Sequence, residues 1–142
     1  MVSPLWEEMA MNDVPVFNDP VNPAHLMSHY VDIESIPWEA TNLPGSERKV
    51  LFHDPKTGMM TCLFRMAPGG VIPLHEHPEL EQTYVLEGRL VDGEGEVTAG
   101  NYVWRPKGNR HIAKSPRGAL VLSVFLKPNI FLQGPGEGTQ LR

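Results

Sequence analysis

Apolar and polar positions alternate along much of the chain with a period of two, the spacing of a half-buried strand, while no stretch sustains the 3.6-residue period of a long helix. Residues 30–33 are the first candidate strand, and residues 48–53 (RKVLFH) the second. Asp54-Pro55-Lys56-Thr57-Gly58 then reads as a hairpin turn, with Pro and Gly at useful turn positions. Residues 59–66 return as a strand apolar on both faces, expected between two layers, with the barrel on one side and an arm or partner on the other. In residues 81–86 the odd positions share one face, so Thr83 and Val85 should line a cavity with Glu81 while Tyr84 and Leu86 pack outside. Residues 89–92 should fold back across Gly93-Glu94-Gly95 onto Val97 and Thr98, and residues 102–105 follow as a further strand. Residues 120–126 (LVLSVFL) form the most apolar segment, and its length and β-branching favour strand over helix.

Residues 1–29 break this rhythm. They carry Pro4, Pro15, Pro20 and Pro23 and little alternation, so they read as an arm, either disordered or laid across a neighbouring subunit. Within it Ser3-Pro4-Leu5-Trp6-Glu7-Glu8 suits a short helix, with Ser3 as cap and Pro4 in the first position. Residues 30–132 are expected to form one β-domain, and residues 133–142 a Gly/Pro-rich tail. No internal repeat is visible.

Composition narrows the class further. A net charge of -5 with scattered basic residues argues against nucleic acid. No apolar run approaches the roughly 18 residues of a membrane span, and the N-terminus has no signal-peptide pattern. Cys62, the one cysteine, cannot form an internal disulfide, which fits a reducing, cytoplasmic location. With 14 prolines and 13 glycines the chain suits short strands punctuated by turns.

The chemistry is concentrated in residues 69–88 (GGVIPLHEHPELEQTYVLEG). His75 and His77 share a strand face, Glu81 has the same parity, and a loop at His77-Pro78-Glu79 can fold Glu81 back beside the imidazoles. Two neutral imidazoles and a carboxylate aimed at one point form a divalent-metal site. Residues 100–115 (GNYVWRPKGNRHIAKS) add a strand, a Pro-Lys-Gly turn and His111. His25, His29 and His53 stand outside both stretches and read as ordinary residues, although His25 and His29 have i, i+4 spacing.

Gly69, His75, His77, Glu81 and Gly88 match the pattern Gly, five residues, His-x-His, three residues, Glu, six residues, Gly. Gly100, Pro106, Gly108 and His111 match Gly, five residues, Pro-x-Gly, two residues, His; Ser115 stands where that pattern has Asn, a position that is not a ligand. On these residues the chain resembles the cupin superfamily. The resemblance implies an all-β, single-domain cupin, an antiparallel β-barrel or double-sheet jelly roll, with His75, His77, Glu81 and His111 as metal ligands. The segment PGGVIPLHEHPELEQTYVLEGRLVDGEGEVTAGNYVWRPKGNRH, followed by FLKPNIFL, is similar to the subgroup related to the ChrR anti-sigma factor, which includes acetylacetone-cleaving and dihydroxyacetophenone-cleaving dioxygenases. The acetylacetone-cleaving members bind Fe(II) through three histidines only, and Glu81 would add a fourth ligand. The anti-sigma members carry a separate N-terminal zinc domain, whereas no cysteine precedes Cys62 here, which counts against sigma binding.

The resemblance implies a metal-dependent dioxygenase that cleaves a C–C bond in a β-diketone or similar chelating carbonyl compound. It would use Fe(II), with Zn, Ni, Mn or Cu as alternative ions, and its partners would be the small-molecule substrate and dioxygen, with no membrane or nucleic acid. Two other readings use the same ligands: a non-catalytic metal- or ligand-sensing cupin, and an oxygen-independent metal-assisted isomerase or lyase. Beyond the ligands no catalytic residue is expected. Thr83, Val85, Phe64, Phe125, Arg65 and Arg105 are the cavity-lining candidates; Phe64, Phe125, Met60 and Met66 suit an apolar wall or plain core packing, and Arg65 or Arg105 either steers an enolate or is solvated. Cys62 reads as packing. A homodimer or higher homo-oligomer is expected, because edge strands need covering.

Overall fold

The computed structural model describes residues 23–134 and 136–138. The expected helix at Ser3–Glu8 and most of the expected arm and tail lie outside the described residues. The chain divides into two compact units, Met1–Val31 and Asp32–Arg142. In the first, the described residues include one 3-10 turn, Ala24–Leu26, with no buried residue.

The second unit is built from β1 (Glu39–Ala40), β2 (Ser46–His53), β3 (Met60–Met66), β4 (Gly70–Glu76), β5 (Glu81–Val91), β6 (Glu96–Thr98), β7 (Tyr102–Arg105), β8 (Arg110–Ser115), β9 (Ala119–Phe125) and β10 (Ile130–Phe131). All pair antiparallel in the order β1-β2-β3-β9-β5-β8-β4-β10, with β6 and β7 also on β5. The period-two patterning therefore found its strands, with one exception. Residues 30–33 form no strand: a 3-10 turn occupies Ile33–Ser35, where the Ser35 hydroxyl donates to the Asp32 carbonyl and the Ile36 N–H to that of Ile33. Four residues ending two short of Ser35 leave local turn chemistry free to win over β-propensity.

The turn at Asp54–Gly58 forms as its residues dictate. Asp54 accepts the Lys56 N–H and the Thr57 hydroxyl, and the Asp54 N–H closes the hairpin on the Met59 carbonyl.

β5 organises the unit. Its first half pairs β7 and β9, and its last residues pair β6 and touch β8, so one strand passes from one half of the curled sheet to the other. The register shifts between Val85 and Glu87, and Gly88 follows with φ 72°. A Cβ on Gly88 would stand 2.0 Å from the Gly118 carbonyl oxygen, so only glycine fits this corner. Along β5, Thr83 and Val85 are buried while Tyr84 and Leu86 face outward. Val85 joins Cys62, Phe64, Met66, Leu90, Val97, Ala119 and Val121 in the core cluster.

Candidate metal centre

The register of the strands sets the site. β4 pairs β8 with His75 directly opposite His111, which puts both imidazoles on one face. The ladder is irregular between Ile72 and His75, where Pro73 has no N–H to offer; its carbonyl instead accepts the Nδ1–H of His75 at 2.8 Å. His77 lies just past β4, and two backbone bonds pin it to the Pro106–Asn109 turn: His77 N–H to the Asn109 carbonyl at 2.9 Å and Gly108 N–H to the His77 carbonyl at 2.8 Å. The Pro-Lys-Gly turn thus locates one histidine while delivering another, His111, on β8.

His75, His77 and His111 are all buried, and each offers a nitrogen within 4.8 Å of the other two. Their rings are mutual neighbours, with centroids 4.5 to 5.1 Å apart. No other group of three such donors occurs among the described residues, so His25, His29 and His53 belong to none. Glu81 lies outside the group. Its Oε2 sits 2.6 Å from His77 Nδ1, a close polar contact off the line of the N–H bond, and its Oε1 accepts the Thr83 hydroxyl at 2.8 Å. Burial pushes the Glu81 carboxyl up, but the His77 ring, the Thr83 hydroxyl and the Arg105 charge together outweigh it and hold the group below the usual value.

The third imidazole is held by Asp92, whose Oδ2 takes the His111 Nδ1–H at 2.8 Å and the Arg105 guanidinium at 2.8 Å. Burial raises the Asp92 carboxyl, yet the Glu94 N–H, His111, Arg105 and the Gly95 N–H leave it lowered overall. His75 and His111 therefore each have an oxygen accepting at Nδ1, which places the proton there and leaves Nε2 as a lone pair, while the Glu81 carboxylate beside His77 Nδ1 favours the same tautomer. Burial drives His75 from 6.5 down to about 4. His111 also falls, through burial and then the Arg105 charge, against the raising effect of Asp92. Both rings are thus neutral donors at neutral pH.

His77 Nε2 and His111 Nε2 face each other at 3.1 Å. Two lone pairs at that separation repel unless a cation lies between them. Nitrogens about 2.1 Å from a shared ion, at right angles, stand about 3.0 Å apart, so the donor set fits a divalent metal.

The cavity beside the histidines has apolar walls of Leu43, Phe64, Ile72, Val121, Phe125 and Phe131, with the Phe131 ring 5.6 Å from that of His75. Thr83, Arg105 and Ser123 also line it. Of the sequence candidates, Phe64, Phe125, Thr83 and Arg105 thus border the cavity. Val85 does not; it is fully buried in the core cluster. Arg65 is corrected as well: directly opposite Glu47 on β2, it pairs with that carboxylate at 2.6 Å and stacks over Trp38, 4.1 Å from the ring centroid, on the outer face. Asp92, Ser123, Asn129 and Phe131 went unnoticed in the sequence because they lie outside both motifs. Asp92 reaches His111 only through the β5–β6 hairpin.

A sequence model of the ChrR cupin-like domain family matches residues 27–129. No curated protein matches the chain. Among solved structures, an acetylacetone dioxygenase from Acinetobacter johnsonii superposes with a TM-score of 0.71 at 20% identity, over 85% of this chain and 89% of that one. A candidate acetylacetone dioxygenase from Methylibium petroleiphilum gives 0.71 at 20% identity, over 81% of this chain and 88% of that one. A protein of unknown function with a cupin-like fold from Ralstonia eutropha gives 0.67 at 26% identity, over 81% and 80%.

Proposed function

The chain belongs to the ChrR cupin-like domain family, and on that premise we propose that it is a metal-dependent dioxygenase cleaving a C–C bond in a β-diketone or similar chelating carbonyl compound, with Fe(II) held by His75, His77 and His111. The fold is the all-β cupin fold, in which three buried imidazoles can bind a metal. The observation that carries the proposal is the convergence of three buried imidazoles, two of which, His75 and His111, line a cavity with largely apolar walls.

When bound, a redox-active divalent ion supplies Lewis acidity toward the substrate's carbonyl oxygens and a path for electrons to dioxygen. The chain's own residues do the rest. The Pro73 carbonyl, Glu81 and Asp92 hold the rings in one tautomer and orientation. Glu81 acts from behind the His77 ring. Around the rings, Glu81 and Asp92 carry two negative charges and Arg105 one positive charge. With a divalent ion the site is left one charge positive, and the enolate of a chelating carbonyl compound makes it neutral, as a buried site requires. Phe64, Phe125 and Phe131 keep water from that enolate. Thr83 and Ser123 bond one another at 2.7 Å, so neither hydroxyl is set up as a nucleophile.

We also propose pairing into a homodimer, supported by the exposed apolar side chains of Tyr84, Leu86, Tyr102 and Trp104 on the outward face of β5 and β7. No helix among the described residues is long and apolar enough to cross a membrane.

The test is oxygen uptake by anaerobically Fe(II)-loaded protein offered β-diketones and hydroxyacetophenones. Uptake should match substrate loss one for one and vanish when Zn(II) replaces Fe(II). Compounds that bind the loaded protein and yet consume no oxygen would refute the dioxygenase and favour a ligand-sensing cupin; oxygen-independent turnover would favour the isomerase or lyase.

A further inference from the structure

The polar side chains on the cavity wall are nearly all committed. His75 bonds the Pro73 carbonyl, His111 and Arg105 share Asp92, Glu81 takes the Thr83 hydroxyl, and Thr83 meets Ser123. Asn129 stands apart. It lines the same cavity, it is 8% exposed, and its Oδ1 is closed off from solvent with no donor in reach. It sits immediately before β10, where Ile130 pairs Glu76 and Phe131 pairs His75. One step further along that register Asn129 comes level with His77. Its neighbour but one, Phe131, stacks near His75.

A buried amide oxygen without a donor costs stability, typically about 1–3 kcal/mol, and such a cost persists where the group has a use. The other polar side chains on the wall bond one another, or the Pro73 carbonyl and Asp92, without using the Asn129 oxygen. We infer that the Asn129 carboxamide is the polar anchor for the substrate, and that the preferred ligand is a chelating carbonyl compound bearing a hydroxyl or N–H beside its chelating oxygens, rather than a plain β-diketone. This rests on the metal-chelate reading above and narrows it. A ligand with such a donor satisfies Oδ1 on binding; one without it leaves the oxygen orphaned and binds more weakly.

A matched pair of chelators tests this without turnover: acetohydroxamic acid, which has an N–H next to its two oxygens, and N-methylacetohydroxamic acid, which lacks it. Calorimetric titration of Zn(II)-loaded wild type should show the N–H compound binding more tightly. In Asn129→Leu, which keeps the volume and removes the amide, the ratio of the two affinities should fall by roughly 3- to 10-fold, the worth of one hydrogen bond. Any steric penalty of the methyl group is common to both proteins and drops out of that comparison. Asn129→Leu should also melt no lower than wild type in the metal-free form, because it removes an unsatisfied polar atom. A structural asparagine would give the opposite.

If both compounds bind and their ratio is unchanged in Asn129→Leu, the anchor is wrong while the chelate site stands. If neither binds the Zn(II)-loaded protein, the chelate site itself is wrong, and the anchor falls with it. A crystal structure of Zn(II)-loaded wild type with acetohydroxamate tests the same point without a variant: the ligand N–H should lie within hydrogen-bond distance of Asn129, and an N–H facing another residue overturns the inference.

Discussion

Asp92→Asn separates two jobs that one carboxylate performs. Its Oδ2 receives both the His111 Nδ1–H and the Arg105 guanidinium at 2.8 Å, and the Asp92 and Arg105 side chains are only 5% and 8% exposed. An amide can still accept a bond but carries no charge, so Arg105 is left as an unpaired buried cation. Breaking a buried pair by removing one partner costs about 3–5 kcal/mol, which in a domain of this size lowers Tm by roughly 10–15 °C. His111 also loses the carboxylate that fixes its tautomer, which costs about 10- to 100-fold in metal affinity. Arg105→Met behaves differently. Asp92 keeps His111 and the backbone N–H groups of Glu94 and Gly95 at 2.8 and 3.0 Å, so metal affinity stays near wild type or tightens as a nearby positive charge is lost. In Asp92→Asn/Arg105→Met both charges are gone, so stability should recover while affinity stays low. Urea unfolding of the metal-free proteins and competition against a chelator for Zn(II) read the two quantities separately. An Asp92→Asn protein that binds metal as tightly as wild type, or a double variant no more stable than Asp92→Asn, refutes this division of labour.

Three further outcomes follow from the same structure. Gly88→Ala should cost several kcal/mol, since its Cβ would stand 2.0 Å from the Gly118 carbonyl oxygen and φ is 72°; urea unfolding measures it, and a loss below about 1 kcal/mol contradicts the packing. Metal-free protein should lose stability in acid. His75 falls from 6.5 to about 4 on folding, so its contribution is complete above about pH 6.5 and is lost as pH drops toward 4, where only the unfolded chain takes up the proton. Denaturation midpoints flat across that window would contradict its burial. Cys62, 1% exposed and with its thiol pushed up to about 12 by burial, should resist iodoacetamide at pH 8 in the folded state and react once unfolded in urea.

The two motifs carried most of what sequence could say about the site, because strand pairing turns their fixed spacing directly into geometry: His75 opposite His111, His77 on the Pro106–Asn109 turn. The alternation of Thr83 and Val85 against Tyr84 and Leu86 was readable for the same reason, a strict period of two. Parity alone did not separate Arg65 from Arg105. That needed the register, which sets Arg65 against Glu47 and Arg105 against Glu81. Asp92 and Asn129 were out of reach, since each meets the site through a hairpin or register that joins residues far apart in the chain. The 3-10 turn at Ile33–Ser35 depends on hydrogen bonds local to Asp32–Ile36 that hydropathy does not register.

In the proposed centre three histidines hold the metal while Glu81 braces His77 from behind. The most direct measurement is the number of metal equivalents retained per chain after reconstitution and dialysis, for wild type, His111→Ala and Glu81→Gln. Wild type should retain one, His111→Ala none although it remains folded, and Glu81→Gln one, bound about 10- to 100-fold more weakly. A His111→Ala protein that keeps a full equivalent would contradict the account.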